Sequence, residues 1–155
     1  WKLAMQSTPF NWDYENPFTQ EFRVQDQHID FIGHVNNAVY VGWCQDAGWQ
    51  HSLDLGLGLE EYKSLDAAMI IRRADYDYIL SAYAGDECVM GTWLSANDHK
   101  LTMERQFQLL RKVDGKTLLR GHWQLVCIRM SNGKPRRMPV EFDTRYGAVV
   151  IPPAV

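Results

Sequence analysis

Asp30-Phe31-Ile32-Gly33-His34-Val35-Asn36-Asn37 runs directly into Ala38-Val39-Tyr40-Val41-Gly42-Trp43-Cys44. An acidic residue is followed by a glycine turn, a polar pair and a long apolar segment. Asn36 and Asn37 are N-cap candidates, because a side-chain amide oxygen accepts from the orphan N–H groups of a first helical turn. Those N–H groups, with the positive end of the helix dipole, favour negative charge nearby. The stretch reads as a loop delivering the Asp30 carboxylate to the start of a buried helix. Such an arrangement suits chemistry on a polarised carbonyl.

Outward from this loop, the apolar spacing predicts one helix over 37–53, about 25 Å long at ~1.5 Å per residue. Val39, Tyr40, Trp43, Cys44 and Ala47 form a wide stripe, which Val41 and Trp49 extend round the cylinder. A helix apolar on most sides is expected to be buried on most sides. Gly42 and Gly48 each cost about 1 kcal/mol of helix propensity relative to Ala. That cost makes sense where a sheet packs close against the helix. Leu55-Gly56-Leu57-Gly58 ends it, and 60–65 is a candidate short helix.

Before the loop, 18–24 alternates as a strand, with Phe18, Gln20, Phe22 and Val24 on one face. Four more strands are predicted after the helix, over 68–79, 87–94, 101–113 and 117–130. In the third of these, Arg105 interrupts an apolar face that also holds Leu101, Met103, Phe107 and Leu109. Asp114-Gly115 and Asn132-Gly133 are turn signals. Consecutive strands joined by short turns imply antiparallel pairing of neighbours. One strand, a long helix and four strands make an α+β pattern. A short helix is expected over 140–146. Part of the aromatic-rich segment 1–17 is expected to pack on the domain surface or on a partner, and the apolar tail 148–155 against a surface.

The 155 residues suit a single domain, 1–155, with 1–17 and 134–155 as extensions. A formal charge of -3 argues against nucleic-acid binding, which usually shows a basic excess. No apolar run approaches the ~20 residues that cross a membrane, and no charged-then-apolar leader opens the chain. Cys44, Cys88 and Cys127 lack CxxC spacing and fit buried thiols in a reducing compartment, so a cytoplasmic setting is expected.

Asp-x-x-Gly-His-Val-Asn-Asn entering an aromatic-rich helix resembles the hotdog-fold acyl-CoA thioesterases of the 4-hydroxybenzoyl-CoA thioesterase type, across residues 21–146. The resemblance implies a hotdog fold, an antiparallel sheet of about five strands wrapped round one long central helix. It implies a homodimer or homotetramer with active sites at the subunit interface. The implied substrate is an acyl-CoA, or an acyl carrier protein thioester, with coenzyme A present only as part of the substrate and no other cofactor. Asp30 would be nucleophile or general base, and the Asn37 backbone N–H would polarise the thioester carbonyl. In one departure, many relatives carry a second Asp where this chain has His28.

Each of these residues also has a plainer role. Asp is a common turn and cap residue, and it is the surrounding motif that moves Asp30 towards catalysis. Histidine is a side chain suited to acid–base work, but His34 is read as fixing the loop beside Gly33. His28 and His34 flanking Asp30 carry no metal-site logic, so no metal is expected. Tyr40 and Trp43 are core residues that also suit the wall of an acyl pocket. Arg72, Arg73, Lys100, Lys134, Arg136 and Arg137 are candidates for the phosphates of coenzyme A, each equally at home as a solvated surface charge. Gly56 and Gly58 lack the context of a phosphate loop. The rival readings are a hotdog hydratase or dehydratase and a non-catalytic acyl-CoA-binding protein.

Overall fold

The computed structural model describes residues 10–152. The expected N-terminal extension is thus described only from Phe10, and residues 153–155 of the apolar tail lie outside the described residues. The elements run β1 (Phe18–Arg23), α1 (Asn37–Asp54), α2 (Leu59–Leu65), β2 (Ala68–Tyr78), β3 (Glu87–Asn97), β4 (Thr102–Arg111), β5 (Thr117–Ile128) and α3 (Val140–Gly147), with a 3-10 turn at Asp26–His28. The five strands form one sheet in the order β1-β3-β4-β5-β2, every pairing antiparallel.

This order corrects one expectation. Strands β2 and β3 are consecutive in the chain but do not pair. Residues 79–86 carry the chain across, so that β2 lies on the far edge against β5 and β3 beside β1. The residue pattern of a strand is blind to that choice, because it says which residues suit a strand and not which neighbour is paired.

Helix α1 packs on the concave face of the sheet. Tyr40, Cys44 and Ala47 meet Met90, Leu94, Met103, Phe107, Leu109 and Trp123 in the core. Its buried positions are Tyr40, Cys44, Ala47, Gly48, His51 and Ser52, at the spacing of one helical face. Burial on most sides does not occur. Trp49 is 37% exposed, and Val41 and Trp43 are only half-buried. A single curved sheet covers one stripe of a cylinder and leaves the rest open. The two glycines therefore differ. A Cβ on Gly48 would meet the Trp123 ring, whereas one on Gly42 would have nothing within 4 Å. The expected close approach is real at Gly48 and absent at Gly42.

Polar chemistry closes the far end of the core. Ser52 Oγ donates to the Leu57 carbonyl at 2.6 Å. Its one proton is spent there, so Tyr146 donates to Ser52, and Tyr62 in turn to Tyr146. This chain ties α1 and α2 to α3.

The outer face of the sheet is covered at one end by residues 10–17. The Trp12 ring lies on Gly91 and edges onto Trp93. The buried Gln108 amide accepts from Asp13 N at 2.8 Å and donates to Asn11 O at 3.1 Å. Past α3, Val150 bridges in parallel to Leu94. Among the described residues, no helix is long and apolar enough to cross a membrane.

Candidate active site

The loop before α1 is a tight hairpin. Asp30 N donates to His34 O at 2.9 Å, and Gly33 N donates back to Asp30 O at 3.0 Å. Gly33 sits at φ +91, a left-handed conformation that glycine adopts without a Cβ penalty. Asp30 Oδ1 accepts from Ile32 N at 2.9 Å, leaving Oδ2 free of any partner among the described residues. The half-buried carboxylate is thus held by its own turn.

Asn36 is the N-cap. Its Oδ1 accepts from Ala38 N at 2.9 Å, and its carbonyl accepts from Val39 N. The first-turn N–H of Asn37 is left without an acceptor among the described residues, where the positive end of α1 is strongest. Both asparagines were cap candidates; Asn36 takes that role and leaves Asn37 as the open donor.

Asp30, His34, Asn37 and Tyr40 come together on one small cavity of about 290 Å³, with Gly33 in the turn behind it. The wall opposite is the segment 78–81, which sequence reasoning missed. His34 Nδ1 lies 3.2 Å from Ser81 Oγ, and the His34 ring edges onto Tyr83. Tyr40 Oη accepts from Ala82 N at 3.0 Å; burial raises its pKa. His34 and Tyr40 thereby hold the 79–86 crossover against the loop and helix. The signal available beforehand was a lone serine within Ile79-Leu80-Ser81-Ala82, an apolar run with no strand alternation.

The basic candidates do not join this cavity within the single chain. Arg72 sits at a β2 bulge and lines a separate groove with Asn97, Glu104 and Gln124. Lys100 lies in the β3–β4 turn, its N–H given to Asp98. Arg136 donates through Nη1 to Leu65 O at 2.9 Å and through Nε to Arg137 O, so its guanidinium is held by the end of α2. His28 accepts from Gln25 N at 2.9 Å through Nδ1 and edges onto Trp43. Among the described residues, no three His, Cys, Asp or Glu side chains converge as metal ligands do. Cys44 and Cys88 are buried, and burial pushes both thiols up to about 12, far from a reactive thiolate.

Residues 23–145 match the family model described as the thioesterase-like superfamily. The chain belongs to the thioesterase-like superfamily. A five-stranded antiparallel sheet curled over one long helix is the hotdog fold of that superfamily, as the resemblance implied. A Staphylococcus aureus protein solved in complex with CoA superposes with a TM-score of 0.81 at 19% identity, over 94% of this chain and 92% of that one. A 1,4-dihydroxy-2-naphthoyl-CoA thioesterase from Synechocystis superposes with a TM-score of 0.76 at 20% identity, over 85% and 96%. At these identities the likeness establishes the thioesterase-like fold. The acyl-acyl carrier protein thioesterase ATL3 of Arabidopsis thaliana chloroplasts is 22% identical over 139 residues, 87% of this chain. This chain spans 63% of the length of that curated relative.

Proposed function

We propose that this thioesterase-like protein hydrolyses an acyl-CoA thioester to a free acid and CoA, in the manner of the 4-hydroxybenzoyl-CoA type, with Asp30 as nucleophile or general base. The observation that carries the reading is that Asp30 and Asn37, whose first-turn N–H has no acceptor among the described residues, line the same cavity. A thioester carbonyl accepting from Asn37 would have its developing negative charge stabilised in the transition state. Asp30 would either take a proton from the attacking water, or attack the carbonyl itself. In the second route, attack forms a tetrahedral adduct that expels the CoA thiolate, and water then opens the resulting mixed anhydride to the free acid and the Asp30 carboxylate. Acyl carrier protein remains the other candidate carrier, since the curated relative is named for that substrate.

Self-association is part of the proposal. Phe31, 98% exposed, stands beside Asp30, and Ile32, Tyr78, Ile79 and Leu80 are exposed round the same cavity. So much apolar surface at one place favours a partner surface. Among the described residues strand β2 also has one unpaired edge, which a second copy would cover in a homodimer or in a homotetramer built from two. Arg72 and Lys100 are then the cations available for coenzyme A phosphates.

The test is thiol release across an acyl-CoA panel by the wild type and Asp30→Asn. Asparagine keeps the Oδ1 acceptor for Ile32 N, so the turn survives while the anion is lost. Turnover should fall about 10²–10⁴-fold, with the melting temperature unchanged. A folded variant with near-normal turnover leaves Asp30 as a turn residue only.

A further inference from the structure

At the opposite end of α1 lies a second cavity, of about 650 Å³. His51 in its wall is fourteen residues on from Asn37, about 21 Å along the helix at ~1.5 Å per residue. Phe18, Thr92, Trp93 and Val150 are among its other walls, with Glu15 and Asp54 at its exposed rim. The size falls within the ~300–1,000 Å³ typical of small-molecule sites.

His51 is 7% exposed, and its Nδ1 lies 2.9 Å from Arg105 Nη1. A guanidinium only donates, so Nδ1 accepts and carries no proton. The neutral ring therefore holds its proton on Nε2, on the side away from Arg105. That N–H has no acceptor among the described residues. Phe18 stacks on the ring at 4.9 Å between centroids and 15° between planes, which fixes its orientation. Burial first, and then the Arg105 charge, lower the His51 pKa to about 4, so the ring stays a neutral donor at pH 7.

Arg105 supplies the second observation. It is 3% exposed, bonded to His51 and to Thr92 Oγ1 at 3.1 Å. No carboxylate stands within ion-pair distance of it among the described residues. A buried cation without a counter-ion is costly, and an anion brought near it recovers part of that cost. The rim carboxylates are screened by water, while the field of Arg105 acts through a drier interior. Their presence still disfavours a dianion such as phosphate. The walls from Trp93 and Val150 are apolar.

We propose that this cavity is a second ligand site, which takes an apolar monocarboxylic acid with one carboxylate oxygen accepting from His51 Nε2–H and the tail lying along Trp93 and Val150. The site is independent of Asp30 and of the reading built on it.

The test uses the full chain at pH 7, titrated by calorimetry with octanoate, octanamide and octan-1-ol, while the His51 ring resonances are followed by NMR. Octanoate should bind saturably at one site per chain and move the Nε2–H resonance. The two uncharged analogues should bind at least about tenfold more weakly, since they lack a charge-assisted acceptor. Asp30→Asn should leave the octanoate affinity unchanged. No saturable octanoate binding up to about 1 mM overturns the proposal. So does equal affinity for the uncharged analogues, a His51 ring that does not respond, or an affinity that follows Asp30.

Discussion

A Cβ placed on Gly48 would lie 3.0 Å from Cζ3 of Trp123, the tightest contact between the central helix and the sheet at any α1 glycine. Trp123 cannot retreat easily. Its Nε1 donates to Tyr76 Oη at 2.8 Å, and Phe107 edges onto its ring at 4.5 Å. Gly48→Leu should therefore overpack the core and cost about 1–3 kcal/mol. Gly42→Ala, facing open space, should add up to about 1 kcal/mol of helix propensity. Urea unfolding of both variants checks the pair. Equal shifts of one sign would show that the two glycines do not differ as the packing says.

His51 makes stability depend on pH. In the unfolded chain it takes up its proton near the ordinary 6.5, but in the folded protein only near 4. Between these values the unfolded state binds more protons, so stability rises with pH. The contribution is complete above about pH 6.5 and is lost progressively as pH falls to about 4, up to roughly 3 kcal/mol. His51→Gln keeps an acceptor for Arg105 and cannot titrate. Its unfolding free energy should vary less with pH across this window than that of the wild type. Parallel curves for the two proteins would remove His51 as the source.

Gln108 holds the 10–17 segment to the sheet. Its fully buried amide bonds Asn11 O, Asp13 N and Thr117 Oγ1. Gln108→Leu preserves bulk and leaves those partners unsatisfied, which typically costs about 1–3 kcal/mol. Faster proteolytic cutting within 10–17 and a red-shifted tryptophan emission should accompany the loss. A segment cut at the wild-type rate would show that Trp12 on Gly91 and the Asp13–Arg120 pair hold it without Gln108.

The β2 edge carries the prediction on assembly. Ile70 and Ile71 are exposed on this outer strand, and lysines there would oppose edge-to-edge pairing. Wild-type protein should sediment as a dimer or larger at micromolar concentration. The Ile70→Lys, Ile71→Lys variant should shift towards monomer and lose turnover with it. A monomeric wild type would remove self-association from the functional proposal.

Much of the local structure was legible in the residues. Helix α1 starts where Asn36 can cap it and ends at the Leu55-Gly56 break, and each strand shows its own alternation or β-rich run. These are short-range matters, settled by caps, turn glycines and the period of apolar side chains. The Asp30 loop belongs with them, since its turn and its cap lie within eight residues of chain.

Other features arise only when distant segments meet. Arg105 looked like an interruption of an apolar face until His51 and Thr92 were found beside it, and Arg136 looked like a surface cation until α2 presented its carbonyls. Ser81 gained meaning only against His34, and Gly48 parted from Gly42 only against Trp123. Strand order was hidden too, because the residues of β2 read as a strand alike whether it pairs with β3 or with β5. Periodicity reports the environment of a face, averaged along the chain. The identity of the partner across that face depends on which arrangement buries the whole core and satisfies its polar groups at once, and that is a property of the folded molecule as a whole.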